Sequence, residues 1–493
     1  MFEFLQQNTI PYQSIILALS GGVFAFEQYL NIRQLPHLKL KVPPPSIAPY
    51  LVAADGPKTE ADKKDTPKGE DGAPTEKPST QETFMKSQAY ALDKVKFSMI
   101  AGVIDQVETW ALLSPFVAVY FGSDGAKPAS GIASLWHLAI DLCQRWSRLA
   151  PAFLNIGTGE IATSLFFVSL LSLTGMITSI PSSLYKTFVL EEKHGFNKQT
   201  LGLWITDYIK TTILSAVFGL PLIAAFLWIV RWAGEAFVQY VMMLVMGLVL
   251  FMYVGYPYLI APLFNKFRHL SEFPEYEEVK TRTEALAKRI NFPLGRLWVI
   301  DGSKRSAHSN AFFFGLPGLT KHIVLYDTLL KQSTAAEVEA VLAHELGHWK
   351  LNHTVLLLGS SQIQIGLSLS TFRFFIWNAA LFYSFGVPAL AGGADKYPLI
   401  IGFILAQSLF TPLNSLLSFT SNALSRKLEF QADQFAADLG GDYAKDLKWA
   451  LVRISAENKA TTSCDWLYSA FHHSHPTLPE RLGRLSTLTN KKK

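Results

Sequence analysis

The sequence predicts a predominantly α-helical, multi-pass membrane protein with a small α+β unit on one side of the bilayer. Three observations carry that expectation. Hydrophobic residues make up 49% of the 493 and charged residues only 17%, whereas a soluble chain carries about a quarter charged residues. The mean hydropathy is positive, at +0.21. Seven separate stretches are apolar enough to cross a bilayer, for which about 20 residues are needed.

The first of these, 12–30, follows a segment with Glu3 in place of a basic leader and no small-residue cleavage site, so it reads as a retained span. Residues 54–83 then mix Asp, Glu, Lys, Pro, Gly, Thr and Ala without an aromatic side chain. Such a tract cannot bury enough surface to offset its ordering entropy and is expected to be a disordered loop. Spans follow at 97–121, 161–185, 211–232 and 237–263. Region 269–352 is polar: a helical pattern (PEYEEVKTRTEALAKRI) leads into RLWVID, SNAFFFG and HIVLYD, a helix-and-strand alternation, and then into a second helix. Two more spans, 355–385 and 399–419, precede a polar C-terminal region read as helices. The expected organisation is therefore 1–53 (first span and juxtamembrane segment), 54–83 (loop), 84–268 (spans two to five), 269–353 (polar α+β unit ending in the second helix), 354–420 (spans six and seven) and 421–493 (C-terminal helices).

Charge sets the orientation. Lys and Arg gather after the odd-numbered spans, at Arg33, Lys39 and Lys41, at Lys186, Lys193, Lys198 and Lys210, between Lys266 and Lys350, and from Arg426 onward. By the positive-inside rule those segments face the cytosol and the N-terminus faces the lumen. The net charge of +5, from 44 Lys+Arg against 39 Asp+Glu, is too mild and scattered for a nucleic-acid partner. With two cysteines, Cys143 and Cys464, a disulfide scaffold and a cysteine-rich metal site are excluded. Any metal must use His and carboxylates.

The second helix of the polar region holds His344-Glu345-Leu346-Gly347-His348. Histidines at i and i+4 share a helical face and can reach one cation, while the Glu between them can address a water there. Thr334 and Glu337 form a capping box ahead of it, and no proline interrupts 337–349. The alternative is a capped surface helix with solvated histidines. A catalytic zinc needs a third protein ligand, and Glu429, two spans later and so on the same face, can supply it. Asp433, one turn on, is placed to accept a hydrogen bond from a ligand histidine; a plain charged helix end would look the same. In the run 471–481, His475 and Arg481 are expected to bind the scissile carbonyl or a substrate carboxylate.

Taken together, His344 to Lys350, Arg426-x-x-Glu429-x-x-x-Asp433, Glu192-Lys193-His194-Gly195-Phe196-Asn197, Ser303 to Ser306, Ser309-Asn310-Ala311, and Asp465-Trp466-Leu467 with Ser474-His475-Pro476 resemble the type I CAAX prenyl proteases over nearly the whole chain. The resemblance implies a seven-span zinc endopeptidase of the endoplasmic reticulum, with the nuclear envelope as a further location, whose helices enclose a hollow chamber. It implies one zinc on His344, His348 and Glu429, Glu345 as catalytic base, and Asn310, His475 and Arg481 on substrate; chemistry independent of the resemblance adds His475 as the group that stabilises the developing oxyanion. Substrates would be isoprenylated CAAX proteins trimmed of their C-terminal tripeptide, with a further upstream cut in some members.

Two other readings compete. One is a membrane quality-control zinc protease acting on unfolded or translocon-trapped proteins. The other is a seven-span receptor or transporter resting on intramembrane acids such as Asp105 and Glu108, which lie at i and i+3.

Overall fold

The structure is a computed structural model that describes residues 10–45, 47, 80–115, 130–315, 320–390 and 396–491. The expected disordered tract lies outside the described residues up to 79, as do 116–121 of the expected second span.

The apolar stretches form long helices: α1 (Tyr12–Leu38), α2 (Thr80–Leu113), α3 (Gly131–Leu149), α4 (Glu160–Tyr185), α5 (Leu201–Ala233) and α6 (Phe237–Gly255). Inside a membrane every polar side chain must find a protein partner or water, and α1 and α2 do so mutually. Gln106 Nε2 and Trp110 Nε1 each donate to Ser20 Oγ at 3.2 Å, and Gln28 Nε2 donates to the Met99 carbonyl at 3.3 Å. Helix α3 is amphipathic: Ser130 caps it, and Ile132, Ala133, Trp136, Ala139 and Cys143 line its buried face against α4. Between α5 and α6 the chain turns at Gly234, whose φ of +54° suits a residue without Cβ.

The polar region folds as a four-stranded sheet with helices. Strands β1 (Phe267–His269), β2 (Leu294–Ile300), β3 (Ala311–Phe314) and β4 (Lys321–Tyr326) lie in the order β1-β2-β4-β3. β2 and β4 are parallel, the outer pairings antiparallel, so β3 forms an edge. Helices α7 (Glu277–Ile290), α8 (Asp327–Gln332) and α9 (Ala335–Lys350) pack beside the sheet. The expected capping box is present, with Glu337 N donating to Thr334 Oγ1 and Thr334 N to Glu337 Oε2. Val338, Leu342 and Leu346, spaced by four, bury one face of α9 in the same core as Leu297, Val299 and Leu325 of the strands.

The chain then re-enters the apolar layer through α10 (His353–Phe372), α11 (Ala379–Ser384) and α12 (Leu399–Leu409), and leaves it along α13 (Thr411–Asp438). Helices α14 (Tyr443–Glu457), α15 (Trp466–His472) and α16 (Leu478–Lys491) complete it. A cavity of about 680 Å³ lies between α1, α2, the α12–α13 bend and α15, lined among others by Glu27, Asp105, Gln106, Gln407 and His472.

The protein is thus mostly helical, with a membrane-helix part and a small sheet. Among the described residues four helical stretches are long and apolar enough to cross a membrane, five if α12 and α13 count as one bent span. One of the four, Leu201–Tyr253, contains both α5 and α6. Three expected boundaries shift. The second span belongs to a longer helix that starts at Thr80, inside the tract expected to be disordered, where the Lys86–Glu82 pair at 2.7 Å supports the first turns. The expected span 355–385 ends as a helix at Phe372 and resumes as the short α11. The last expected span breaks by 65° between Leu409 and Thr411, ahead of Pro412. The second arm then runs unbroken through residue 420, where a boundary was expected.

Candidate metal centre

Gly347 decides how closely α9 and α13 approach. A Cβ there would come within 3.0 Å of Phe435 Cδ1 and 3.3 Å of the Ala432 backbone, so any larger residue would push the helices apart by a few tenths of an ångström or displace Phe435. The contact sets the His344–His348 face of α9 against the Glu429–Asp433 face of α13. His344 Nε2 and His348 Nε2 are 3.2 Å apart, His344 Nε2 lies 3.4 Å from Glu429 Oε2, and His348 Nε2 lies 3.2 Å from Glu429 Oε1. A tetrahedral cation with bonds of about 2.0–2.1 Å needs ligand atoms about 3.3 Å apart; the two nitrogens have that separation, and each has it from one oxygen of the Glu429 carboxylate. Among the described residues it is the one group of three His, Cys, Asp or Glu with ligand atoms so clustered.

Two further features of the donor set fit a cation. Glu429 is 5% exposed, and its Oε2 is a buried carboxylate oxygen without an aligned hydrogen-bond donor, although His475 Nδ1 lies only 2.9 Å away. An anionic oxygen so buried costs free energy unless positive charge faces it, and the Arg481 guanidinium 3.7 Å away supplies only part of what a bound cation would. His344 carries the same demand. Burial and the Arg481 charge push its pKa down, but Asp433 and Glu429 outweigh both and raise it to about 9.

Behind the triangle, Asp433 Oδ1 accepts from His344 Nδ1 at 2.9 Å, which leaves the lone pair on Nε2 facing the metal position. Asp433 is fully buried and also held by Arg481, through Nε to Oδ2 at 2.9 Å and Nη2 to Oδ1 at 2.6 Å. The guanidinium's remaining nitrogen lies 3.7 Å from Glu429 Oε2. Glu345 projects from α9 half-buried and makes no hydrogen bond or ion pair among the described residues, so its carboxylate stays available. His475, on the loop between α15 and α16, is 68% exposed at the mouth of the cluster.

His344, His348, Glu429, Asp433, His475 and Arg481 are thereby brought into one cluster, with Glu345 beside it. Asn310 stands apart. It is exposed at the start of the edge strand β3, its Oδ1 accepting from Ala311 N at 2.8 Å and its carbonyl from Tyr326 N at 3.1 Å. The segment leading to it is clamped. Residues 196–198 lie antiparallel to 305–307, with Lys198 N donating to Arg305 O and Ala307 N to Phe196 O, while Phe196 stacks on His308 at 4.2 Å. Arg305 grips Asp207 of α5 through Nε at 2.7 Å and Nη2 at 3.1 Å. His194 and Lys193 hold Asp93 of α2 at 2.9 and 2.7 Å.

Sequence reasoning missed Asp93 and Asp207, whose partners are 100 and 98 residues away and carry no local signal. It also missed His353 and Gln431, which touch the cluster from α10 and α13. His353 lies five residues past His348, a spacing no continuous helix face would have suggested.

Residues 61–266 match the family described as CAAX prenyl protease N-terminal, five membrane helices, and residues 275–489 match peptidase family M48. The chain is 37% identical to CAAX prenyl protease 1 of Saccharomyces cerevisiae, over 99% of this chain and 98% of that protein. It is 38% identical to the CAAX prenyl protease 1 homologue of Homo sapiens, over 83% of this chain and 86% of that one. The crystal structure of S. mikatae Ste24p is similar with a TM-score of 0.79 at 36% identity, covering 97% of this chain and 99% of that chain.

Proposed function

The chain belongs to peptidase family M48 and, within it, to the CAAX prenyl proteases, and from that premise we propose the following assignment of residues to its activity. It is a membrane metalloendopeptidase that processes CAAX proteins. The single observation that carries the site assignment is the convergence of His344 Nε2, His348 Nε2 and the Glu429 carboxylate, the two nitrogens 3.2 Å apart and each 3.2 to 3.4 Å from one of the two carboxylate oxygens. His344, His348 and Glu429 hold one zinc, with Asp433 fixing His344. When bound, zinc supplies a Lewis acid that polarises the scissile carbonyl and acidifies water.

The chain's own residues do the rest. Glu345 takes the proton from the attacking water and passes it to the departing amine, so both halves of the cleavage use one carboxylate. His475, exposed at the mouth, donates to the oxygen on which negative charge develops. Asn310 binds substrate backbone at the edge of β3, where an extended peptide adds a strand. The outer nitrogen of Arg481 attracts the substrate's C-terminal carboxylate, its other two being committed to Asp433.

The substrate is an isoprenylated protein that loses its C-terminal tripeptide, with an upstream cut as a second activity on the same site. A prenyl chain partitions into the bilayer at about 0.8 kcal/mol per buried CH₂, which suits a site at the membrane. Seven spans enclose a chamber, of which the 680 Å³ cavity lined by Asp105 and Gln106 is one part. A chamber accounts for an acid at this depth as well as a transporter path does, so Asp105 does not favour transport. The metal face is cytosolic, in the endoplasmic reticulum membrane and the nuclear envelope.

The test offers purified full-length protein a farnesylated CAAX peptide and the same peptide unlipidated. Release of the tripeptide from the farnesylated one alone is expected, blocked by chelator and restored by zinc. Equal cleavage of both would favour the quality-control reading.

A further inference from the structure

His353 lies outside the helix that carries the two ligand histidines. In an unbroken helix a residue five positions past His348 would sit about 140° around the axis from it. Instead Asn352 adopts φ +56° and ψ +30°, a left-handed conformation that ends α9, and the chain restarts as α10 with His353 as its first residue. The turn returns His353 onto His348. The two rings meet edge to face, centroids 5.0 Å apart and planes at 72°, with their Nδ1 atoms 2.9 Å apart. On its other side, His353 Nε2 lies 3.1 Å from Oε1 of Gln431, two residues past Glu429 on α13. His353 itself is 3% exposed.

This chain of contacts has a direction. An amide oxygen only accepts, so His353 donates from Nε2 to Gln431 and keeps a bare lone pair on Nδ1. Two facing ring nitrogens share one hydrogen, which must therefore sit on His348 Nδ1. A neutral His348 with that hydrogen has its lone pair on Nε2, the atom 3.2 Å from both His344 Nε2 and Glu429 Oε1. The reverse tautomer would place a hydrogen on Nε2, bond it to Glu429 and close the metal position. Asp433 performs the matching task for His344 from the opposite side.

We infer that His353, backed by Gln431, is a positioning residue of the metal centre, holding His348 in the tautomer whose Nε2 is free to bind a cation. The inference rests on the assignment of His344, His348 and Glu429 as zinc ligands. Partners behind a metal-binding histidine fix its ring and tautomer, and their loss costs about 10- to 100-fold in metal affinity.

The experiment measures the zinc dissociation constant of full-length protein in detergent by competition with a chromophoric chelator, and the melting temperature of the metal-stripped protein. His353→Ala is expected to weaken zinc binding by about 10- to 100-fold, together with a fall in the metal-free melting temperature from the lost packing. His353→Gln, whose amide oxygen can accept from His348 Nδ1, is expected to recover most of that loss. In the cobalt-substituted protein the ligand-field spectrum should shift in His353→Ala and return towards wild type in His353→Gln. The inference is overturned if His353→Ala binds zinc within twofold of wild type. It is equally overturned if both variants weaken binding alike, which is what a packing role would do. Wild-type protein that binds no zinc would remove the ligand assignment itself, a result separate from either.

Discussion

Arg481 clasps Asp433 with two of its three nitrogens, at 2.9 and 2.6 Å, in a fork-to-carboxylate pair of which Asp433 is wholly buried and Arg481 nearly so. Removing one partner of such a pair leaves the other charge stranded, at a cost of about 3–5 kcal/mol. Asp433→Ala should therefore melt at a lower temperature and bind zinc more weakly, because His344 then faces the Arg481 charge alone. A calorimetric scan with a zinc titration checks this. An unchanged zinc affinity would mean that Asp433 does not orient His344.

Glu345→Gln should abolish peptide cleavage while zinc content stays near one per chain, because this carboxylate is free of the ligand triangle. Metal analysis beside a cleavage assay separates the roles. Zinc lost in proportion to activity would make Glu345 structural.

Glu429→Ala, by contrast, should lose metal and activity together. Two histidines 3.2 Å apart then face each other without the carboxylate that joins both. Cleavage by a zinc-loaded Glu429→Ala protein would disqualify Glu429 as a ligand.

Asn310→Ala should leave zinc and fold intact and lower cleavage by about two- to twelvefold, the worth of one hydrogen bond of about 0.5–1.5 kcal/mol. Its Oδ1 already accepts from Ala311 N, so a purely local role is the competing account. Unchanged kinetics with a lower melting temperature would decide for that account.

A single cysteine at Lys304, in a background free of Cys143 and Cys464, should react with an impermeant maleimide added outside sealed microsomes, and one at Lys396 should not. The opposite pattern would place the metal face in the lumen, out of reach of a CAAX tail.

What the sequence revealed and what it hid divide along the range of the interactions. The capping box of Thr334 and Glu337 rests on contacts within a few residues, and the buried stripe Val338, Leu342 and Leu346 and the strands around Trp298, Phe313 and Val324, although their partners lie further off, carry a periodicity that is readable locally. The pairing of His344 with Asp433 was also legible, because i and i+4 spacing on two helices constrains which faces can meet. The return of His353 onto His348 depends on a left-handed turn at Asn352 that no repeat announces. The clamp of Arg305 on Asp207 spans separate elements and leaves no local trace. The 65° break of the last apolar stretch did have a cue in Pro412, which cannot sit inside a continuing helix without losing a hydrogen bond.

That break makes the following helix a lever. Glu429 lies 18 residues beyond Thr411 on an unbroken helix, about 27 Å along its axis at about 1.5 Å per residue. A swing of about 5° at the bend would carry Glu429 sideways by about 2.4 Å, as far as a whole bond from ligand to metal. Tilt in the apolar layer and grip on the cation are therefore one mechanical variable read at two ends. Lipids whose thickness tips this helix should loosen the ion, and by reciprocity the bound ion should stiffen the bend; equal zinc affinities in nanodiscs of short-chain and long-chain lipid would show the lever to be slack.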